Sequence, residues 1–241
     1  MSISKIFRII KTAIFPANCL ICNEIIAGGN FCVEDWNKLH FINKPACKIC
    51  DSPFEFKVDQ EMVCAICIQN KPQFDKALAV LNYDENSKIL ITNFKYFDQL
   101  DLAKYFSQIM FIKAKEILPE IDFIIPIPLH KLRLIKRKYN QAAFLAKNIA
   151  NLSEKNAILD LLIRTKNNPP QAQLSQKDRR KNVAGIFKIN EKYLPKIKGK
   201  NILIVDDVIT TGSTVSACAK ILKKNGANKI FVLTLAKAIV D

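Results

Sequence analysis

Residues Asn201–Thr214, NILIVDDVITTGST, restrict the fold of this chain more than any other stretch. Ile202–Val205 is a run of four apolar residues, too short for a helix and mostly β-branched. It is expected to be a buried parallel strand that stops at the adjacent carboxylates Asp206 and Asp207. Thr210, Thr211, Gly212, Ser213 and Thr214 follow, and Val215, Cys218, Ala219 and Leu222 then recur at helical spacing. A strand, a small-residue loop and a helix N-terminus make an anion site, because free backbone N–H groups and the positive end of the helix dipole converge there. Two carboxylates just upstream do not suit a bare phosphate. They suit a phosphorylated sugar, whose hydroxyls they accept while the loop holds the phosphate. Aspartate pairs and capping threonines each have ordinary structural uses; their order and spacing here carry the functional reading.

A second constraint lies at the other end. Seven of the eight cysteines fall between residues 19 and 67, as Cys19-x-x-Cys22, Cys32, Cys47-x-x-Cys50 and Cys64-x-x-Cys67. One Cys-x-x-Cys knuckle brings two thiolates to a tetrahedral ion, and two knuckles complete it. Cys47, Cys50, Cys64 and Cys67 therefore form a candidate four-cysteine zinc site. The other set is short of one thiol: three residues after Cys32 stands Asp35. Either Cys19, Cys22, Cys32 and Asp35 hold a second zinc, or that site is vacant. The odd cysteine count, the lack of a secretory pattern and a reducing compartment argue against disulfides. The segment has few large apolar residues, so zinc here is structural and takes the place of a core.

From Gln73 the pattern changes. Residues 74–85 and 122–128 read as short strands, the second ended by Pro126 and Pro128. Residues 87–118 carry helical periodicity, Asn140 opens another helix, and residues 229–239 give a last strand. Between Pro128 and Asn140 lies a basic loop in which Lys131, Arg133, Lys136, Arg137 and Lys138 fall within eight residues. A basic loop after a strand end is where an open α/β sheet binds a second anion. The formal charge of +15 points the same way: residues 1–75 net to zero, and residues 76–241 hold the whole excess. Arginine is scarce, six against 31 lysines, yet five of the six (Arg133, Arg137, Arg164, Arg179 and Arg180) lie between 133 and 180. Planar forks are concentrated where phosphate is to be gripped. No stretch is long enough to span a membrane. The basic, amphipathic N-terminus, with Ile3, Ile6, Phe7, Ile10 and Ile14 on one face, suits docking on the protein's own core or contact with a membrane surface. The chain reads as cytoplasmic.

The stretch around Asp206 and Asp207 resembles the phosphoribosyl pyrophosphate (PRPP) motif of the type I phosphoribosyltransferases. Arg137–Gln141 resembles the pyrophosphate loop of the same group, with Lys138 where a glycine is usual. With the paired knuckles and the pattern Gln173, Arg179, Asn182, Phe187, the whole chain resembles the ComF family. That resemblance implies an α/β fold: a type I phosphoribosyltransferase parallel sheet flanked by helices, with a small N-terminal zinc-ribbon domain. The expected division is an N-terminal helix and zinc-ribbon region over residues 1–72 and a phosphoribosyltransferase-like domain over 73–241. It implies Asp206 and Asp207 as catalytic residues on the ribose, and Thr210, Thr211, Gly212, Ser213, Thr214, Arg137 and Lys138 as PRPP contacts. It also implies Arg179 on a loop that closes over PRPP, and Mg²⁺ bound with PRPP. The activity implied is that of a transferase, and the setting is DNA uptake in natural transformation. Two other readings of the same residues stand: an adaptor that grips single-stranded DNA, with Tyr96, Phe97 and Tyr139 to stack bases, and a regulator that senses PRPP without turnover. The acceptor is not legible.

Overall fold

A computed structural model describes residues 17–26, 28–56, 62–96, 100–137, 139–165 and 185–239. The cysteine-rich region forms an antiparallel pair, β1 (Ala17–Asn18) and β2 (Ile25–Ile26), and two five-residue helices, α1 (Val33–Asn37) and α2 (Ala65–Gln69). The chain continues through β3 (Lys76–Asn82), α3 (Glu85–Tyr96), α4 (Leu100–Ala114), β4 (Phe123–Pro126), α5 (Lys131–Arg137), α6 (Gln141–Ser153) and β5 (Asn156–Ala157). It then forms β6 (Leu162–Arg164), β7 (Phe187–Ile189), α7 (Leu194–Ile197), β8 (Ile202–Ile209), α8 (Ser213–Lys224) and β9 (Ile230–Lys237).

Five strands make one parallel sheet in the order β3-β9-β8-β4-β5. The strands are apolar on both sides because both faces are covered. On β8, Leu203 and Val205 enter one core with Phe94, Phe106, Met110, Leu145 and Ile149 from α3, α4 and α6. Ile202 and Ile204 enter the other, with Val215, Cys218, Ala219 and Leu222 of α8. Each side chain so buried contributes about 1.5–3 kcal/mol of transfer free energy. The expected stop of the central strand at Asp206 is not observed. β8 runs on to Ile209, because Asp206 and Val208 still pair with Thr234 and Ala236 of β9.

Three other expectations are refined. The helical stretch over residues 87–118 is divided into α3 and α4. The basic loop is largely a helix, α5; the ring of His130 accepts the Leu132 N–H at 3.3 Å, and Lys, Leu and Arg are good helix formers. The polar segment Leu161–Phe187 has strands at both ends, β6 and β7, paired antiparallel with Ile163 opposite Lys188. Runs of three residues carry too little alternation to read as strands. Arg179, Arg180, Gln173, Asn182, Lys138, Phe97 and the amphipathic N-terminus lie outside the described residues.

β3 is an edge strand, and edges with bare N–H and C=O groups invite pairing with other chains. Here the cysteine-rich region covers it. Ala77 donates to the Ile49 carbonyl at 2.7 Å, Asn82 donates to the His40 carbonyl at 2.8 Å, and Ile42 donates to the Val80 carbonyl at 2.8 Å. The Ala79 N–H bonds the Asp51 carboxylate at 2.9 Å, and that carboxylate also pairs with Lys113 at 3.0 Å. Asp51 follows directly on Cys50, so the second knuckle is fastened to the sheet by its neighbouring residue. Asp51 has a positive φ of 58°, which Asn tolerates. Asp51→Asn is therefore expected to keep the turn but remove the ion pair of Lys113, leaving its ammonium only the Ile42 carbonyl at 2.7 Å, and to lower stability in urea denaturation by about 2 kcal/mol. A loss below about 0.5 kcal/mol would show that the pair does not fasten the knuckle.

Candidate functional site

Ligands of an open parallel sheet sit beyond the carboxyl ends of the strands, at the point where the connections part. In this sheet β8 leads to its neighbour β9 on one side, and β4 leads to its neighbour β5 on the other. The gap between β8 and β4 is that point. The loop after β8 and the basic segment after β4 are thus side by side.

The β8 loop ends in a helix start whose uncapped amides suit an anion. Gly212, the residue before α8, has φ 71°, and no side chain caps the helix. The first turn of α8 instead lines a small pocket of about 40 Å³ with Asp206, Val208, Ile209, Thr210, Thr211 and Gly212. The Thr211 and Ser213 hydroxyls lie 2.8 Å apart, which orients both at the mouth of the helix. Asp207 donates its N–H to Asp206 Oδ1 at 2.9 Å, so the two carboxylates are held on adjacent residues with one Asp206 oxygen already in use. A Cβ on Gly212 meets only ordinary contacts, the nearest being Ile209 Cδ1 at 3.8 Å, so the left-handed φ alone calls for glycine. Gly212→Ala is expected to cost about 1–2 kcal/mol in a urea melt; an unchanged midpoint would remove the conformational argument for glycine there.

The basic side comes from two elements. Arg133 and Arg137 on α5 are half-buried, as is Arg164 at the end of β6. Burial, and after it the like charge of Arg133, push the Arg164 guanidinium down, while the Asp206 carboxylate opposes the shift. Arg133, Arg164 and Asp206 therefore lie within electrostatic reach of one another, and Arg164 also stacks on the Phe187 ring at 5.8 Å. Arg133 and Arg164 are absent from the site expected from motifs; the clustering of arginine was the one sequence signal for them. Asn140 caps α6 by accepting the Ala142 N–H at 3.1 Å and donates to the Ile127 carbonyl at 3.0 Å, which ties the end of the basic segment to β4. Tyr139 donates its hydroxyl to the Phe94 carbonyl at 3.2 Å and packs edge-on against Phe144.

Both cysteine sets converge. The ligand atoms of Cys47, Cys50, Cys64 and Cys67 lie within 4.8 Å of one another, and so do those of Cys19, Cys22, Cys32 and Asp35. Cys50 and Cys64 Sγ are 3.7 Å apart and Cys22 and Cys32 Sγ 3.9 Å, against about 3.8 Å between thiolates on a tetrahedral zinc. Both sets suit structural zinc. Asp35 is brought in by α1: the Cys32 sulfur accepts the Asp35 N–H at 3.4 Å, which sets the carboxylate three residues on, 3.1 Å from Cys19 Sγ. Hydrogen bonds from Cys22 and Cys19 hold the Asp35 carboxyl well below the usual range, and Lys38 pairs with its other oxygen at 3.2 Å. In the second set the hydrogen bond with Cys47 draws Cys50 down to about 6 and pushes Cys47 up to about 12. One sulfur thus already favours the thiolate, the form that ligates metal.

Comparison with known proteins agrees with this layout. Residues 10–68 match the double zinc ribbon domain and residues 140–240 the phosphoribosyl transferase domain. The chain is 31% identical over 235 residues to Competence protein F of Haemophilus influenzae, covering 93% of this chain and 98% of that protein. It is 26% identical over 230 residues to DNA utilization protein YhgH of Escherichia coli O157:H7, with the same shares covered. A solved structure described as the allosteric regulatory enzyme of purine biosynthesis superposes with a TM-score of 0.40 and 20% identity, over 59% of this chain and 29% of that one. No helix among the described residues is long and apolar enough to cross a membrane.

Proposed function

The chain belongs to the Competence protein F family, and from that membership we propose that it is a PRPP-binding, phosphoribosyltransferase-like protein that serves DNA uptake or use. The observation that carries the reading is the pocket where Asp206, the hydroxyl-rich loop and the start of α8 meet beside a basic segment. In this reading the amides and hydroxyls of Thr210–Thr214 hold the 5′-phosphate. Asp206 and Asp207 accept the ribose hydroxyls. Arg137 and Lys138 face the pyrophosphate, Arg133 and Arg164 add charge beside Asp206, and Arg179 belongs to the closing loop. The division into residues 1–72 and 73–241 and the cytoplasmic location are part of the same proposal.

The family resemblance implies Mg²⁺ with PRPP, and the donor set here fits a hard cation that takes one or two carboxylates plus substrate oxygens. Asp206 and Asp207 are the residues that would hold it, and when bound it offsets the charge of the leaving pyrophosphate. In a transfer, the bond from ribose C1 to the pyrophosphate oxygen breaks and its electron pair leaves with pyrophosphate. The acceptor's nucleophilic atom bonds C1, and its proton passes to water.

Calorimetry with PRPP, with and without Mg²⁺, tests the binding. Saturable binding strengthened by Mg²⁺ is expected; none at millimolar PRPP would refute the reading. A screen of nucleobases for pyrophosphate release then separates an enzyme from a protein that only binds. Release with one base marks turnover. PRPP binding with no release from any base marks a regulator, and salt-sensitive binding of single-stranded DNA without PRPP binding marks the adaptor.

A further inference from the structure

The second cysteine set borders a cleft of about 450 Å³ between the ribbon and the sheet. Cys50, Ser52, Ile66 and Cys67 line it from the ribbon, the outer side of α8 lines the other wall, and Lys237 at the end of β9 is also in the lining. Four thiolates around one Zn²⁺ leave a net charge of about −2, and burial makes such a charge costly unless it is offset. Hydrogen bonds offset part of it. Cys47 Sγ accepts the Cys64 N–H at 3.3 Å, and Cys50 Sγ lies 3.2 Å from the Ser52 hydroxyl. Neither donor carries a full charge.

The first set obtains a full positive charge from its own ribbon: Lys38 pairs with the Asp35 carboxylate, three residues away, at 3.2 Å. The second ribbon has no equivalent. Lys48 inside the knuckle, Lys71 and Lys220 are exposed, where solvent and salt screen them. Lys113 is engaged by the Asp51 carboxylate at 3.0 Å. Lys237 remains, and it is only 7% exposed. Its backbone is fixed on both sides by pairing with Asn82 of β3 and Ile209 of β8. The cleft it enters is lined, among the described residues, by no carboxylate, so the negative groups it meets there are the thiolates. The hydrogen bond with Cys47 and, after it, the charge of Lys237 draw Cys50 toward the thiolate against the effect of burial, which places the ammonium within electrostatic reach of that sulfur.

We propose that Lys237 is the counter-charge of the second zinc set, a cation supplied by the last strand of the sheet to a metal held by the ribbon. The proposal rests on reading Cys47, Cys50, Cys64 and Cys67 as a zinc site. Groups just outside the ligands commonly set how tightly a metal is held. Here that group belongs to the other part of the chain, so the second ribbon holds its ion most tightly when docked on the sheet. The first ribbon carries its cation with it.

The test is zinc affinity, measured by competition with a chromophoric chelator on the full chain. Cys22→Ser leaves the second set as the zinc site, and Cys64→Ser leaves the first. In the Cys22→Ser chain, Lys237→Met is expected to weaken zinc binding by about 10- to 100-fold, and Lys237→Arg, which keeps the charge, by no more than about threefold. In the Cys64→Ser chain, Lys237→Met is expected to leave the first set within about twofold. Amide exchange at Ala77 and Ala79 in zinc-saturated Lys237→Met is expected to match the parent, because methionine fills the same space. Zinc affinity unchanged by Lys237→Met overturns the proposal. So does an equal loss in Lys237→Arg, or faster exchange at Ala77 and Ala79 with zinc saturated, either of which makes Lys237 a packing residue. If the Cys22→Ser chain with Lys237 intact holds no zinc, the zinc reading of the second set falls and the counter-charge role falls with it.

Discussion

The double variant Asp206→Asn, Asp207→Asn is expected to lose PRPP affinity by about 10²- to 10⁴-fold with little change in melting temperature. In the proposed site each carboxylate accepts ribose hydroxyls, and hydrogen bonds to charged groups contribute about 1.5–3 kcal/mol apiece. The amide retains an oxygen for the Asp207 N–H that now bonds Asp206 Oδ1 at 2.9 Å, so β8 keeps its geometry. The sheet beneath is also secured independently, by pairing of residues 202–205 with β4 and of residues 202–209 with β9. Calorimetry and a thermal melt on the same samples separate the two effects. Affinity within about twofold of the parent would move the ribose away from these residues. The single variants are informative as well. Asp206 faces Arg164 and Cys218, so neutralising it leaves a half-buried guanidinium with less compensation. Asp206→Asn is therefore expected to be the less stable of the two.

Loss of the second metal site is expected to release the ribbon from the sheet. The core around Cys47, Cys50 and Cys67 contains only a few partly buried neighbours, Ile49, Phe54 and Val63 among them. So small an apolar cluster does not offset the entropy of ordering the segment. A structural zinc contributes about 10–16 kcal/mol of apparent binding energy in isolated fingers. Cys64→Ser should therefore lower zinc content by one ion per chain. The amides of Ala77 and Ala79, which donate to Ile49 and Asp51, should then exchange about a hundredfold faster, while Val205 at the centre of the sheet stays protected. Unchanged exchange at Ala77 and Ala79 would mean that the ribbon docks without its metal. The freed β3 edge also predicts self-association, visible as a concentration-dependent rise in light scattering.

The legible parts of this protein are those written in one local stretch. The apolar run, the two carboxylates, the small-residue loop and the positions 215, 218, 219 and 222 all occur within two turns or strands of each other. The structure places those four α8 residues in the core. The knuckles were legible for the same reason, since Cys-x-x-Cys is a local geometry. Less was readable where a short element depends on its partner. β6 and β7 have three residues each and become strands only by pairing with one another. The basic segment suggested a loop because charge masks helical preference, yet it forms α5.

By itself the sequence determined that a strand–loop–helix suited to an anion and a four-cysteine metal set are present, because each needs only neighbouring residues in the right order. It did not determine what those parts face. The sheet order puts β4 beside β8 although some eighty residues separate them, and that places the basic segment next to Asp206. Pairing of β6 with β7 brings Arg164 there as well. Cys32 capping a five-residue helix turns Asp35 into the fourth member of the first cluster. Docking of residues 40–51 on the β3 edge sets the second knuckle across a cleft from the loop after β8, with Lys237 in the lining. These are contacts between distant segments, chosen by burial of apolar faces and by the need to pair the backbone of an edge strand. No local pattern specifies them.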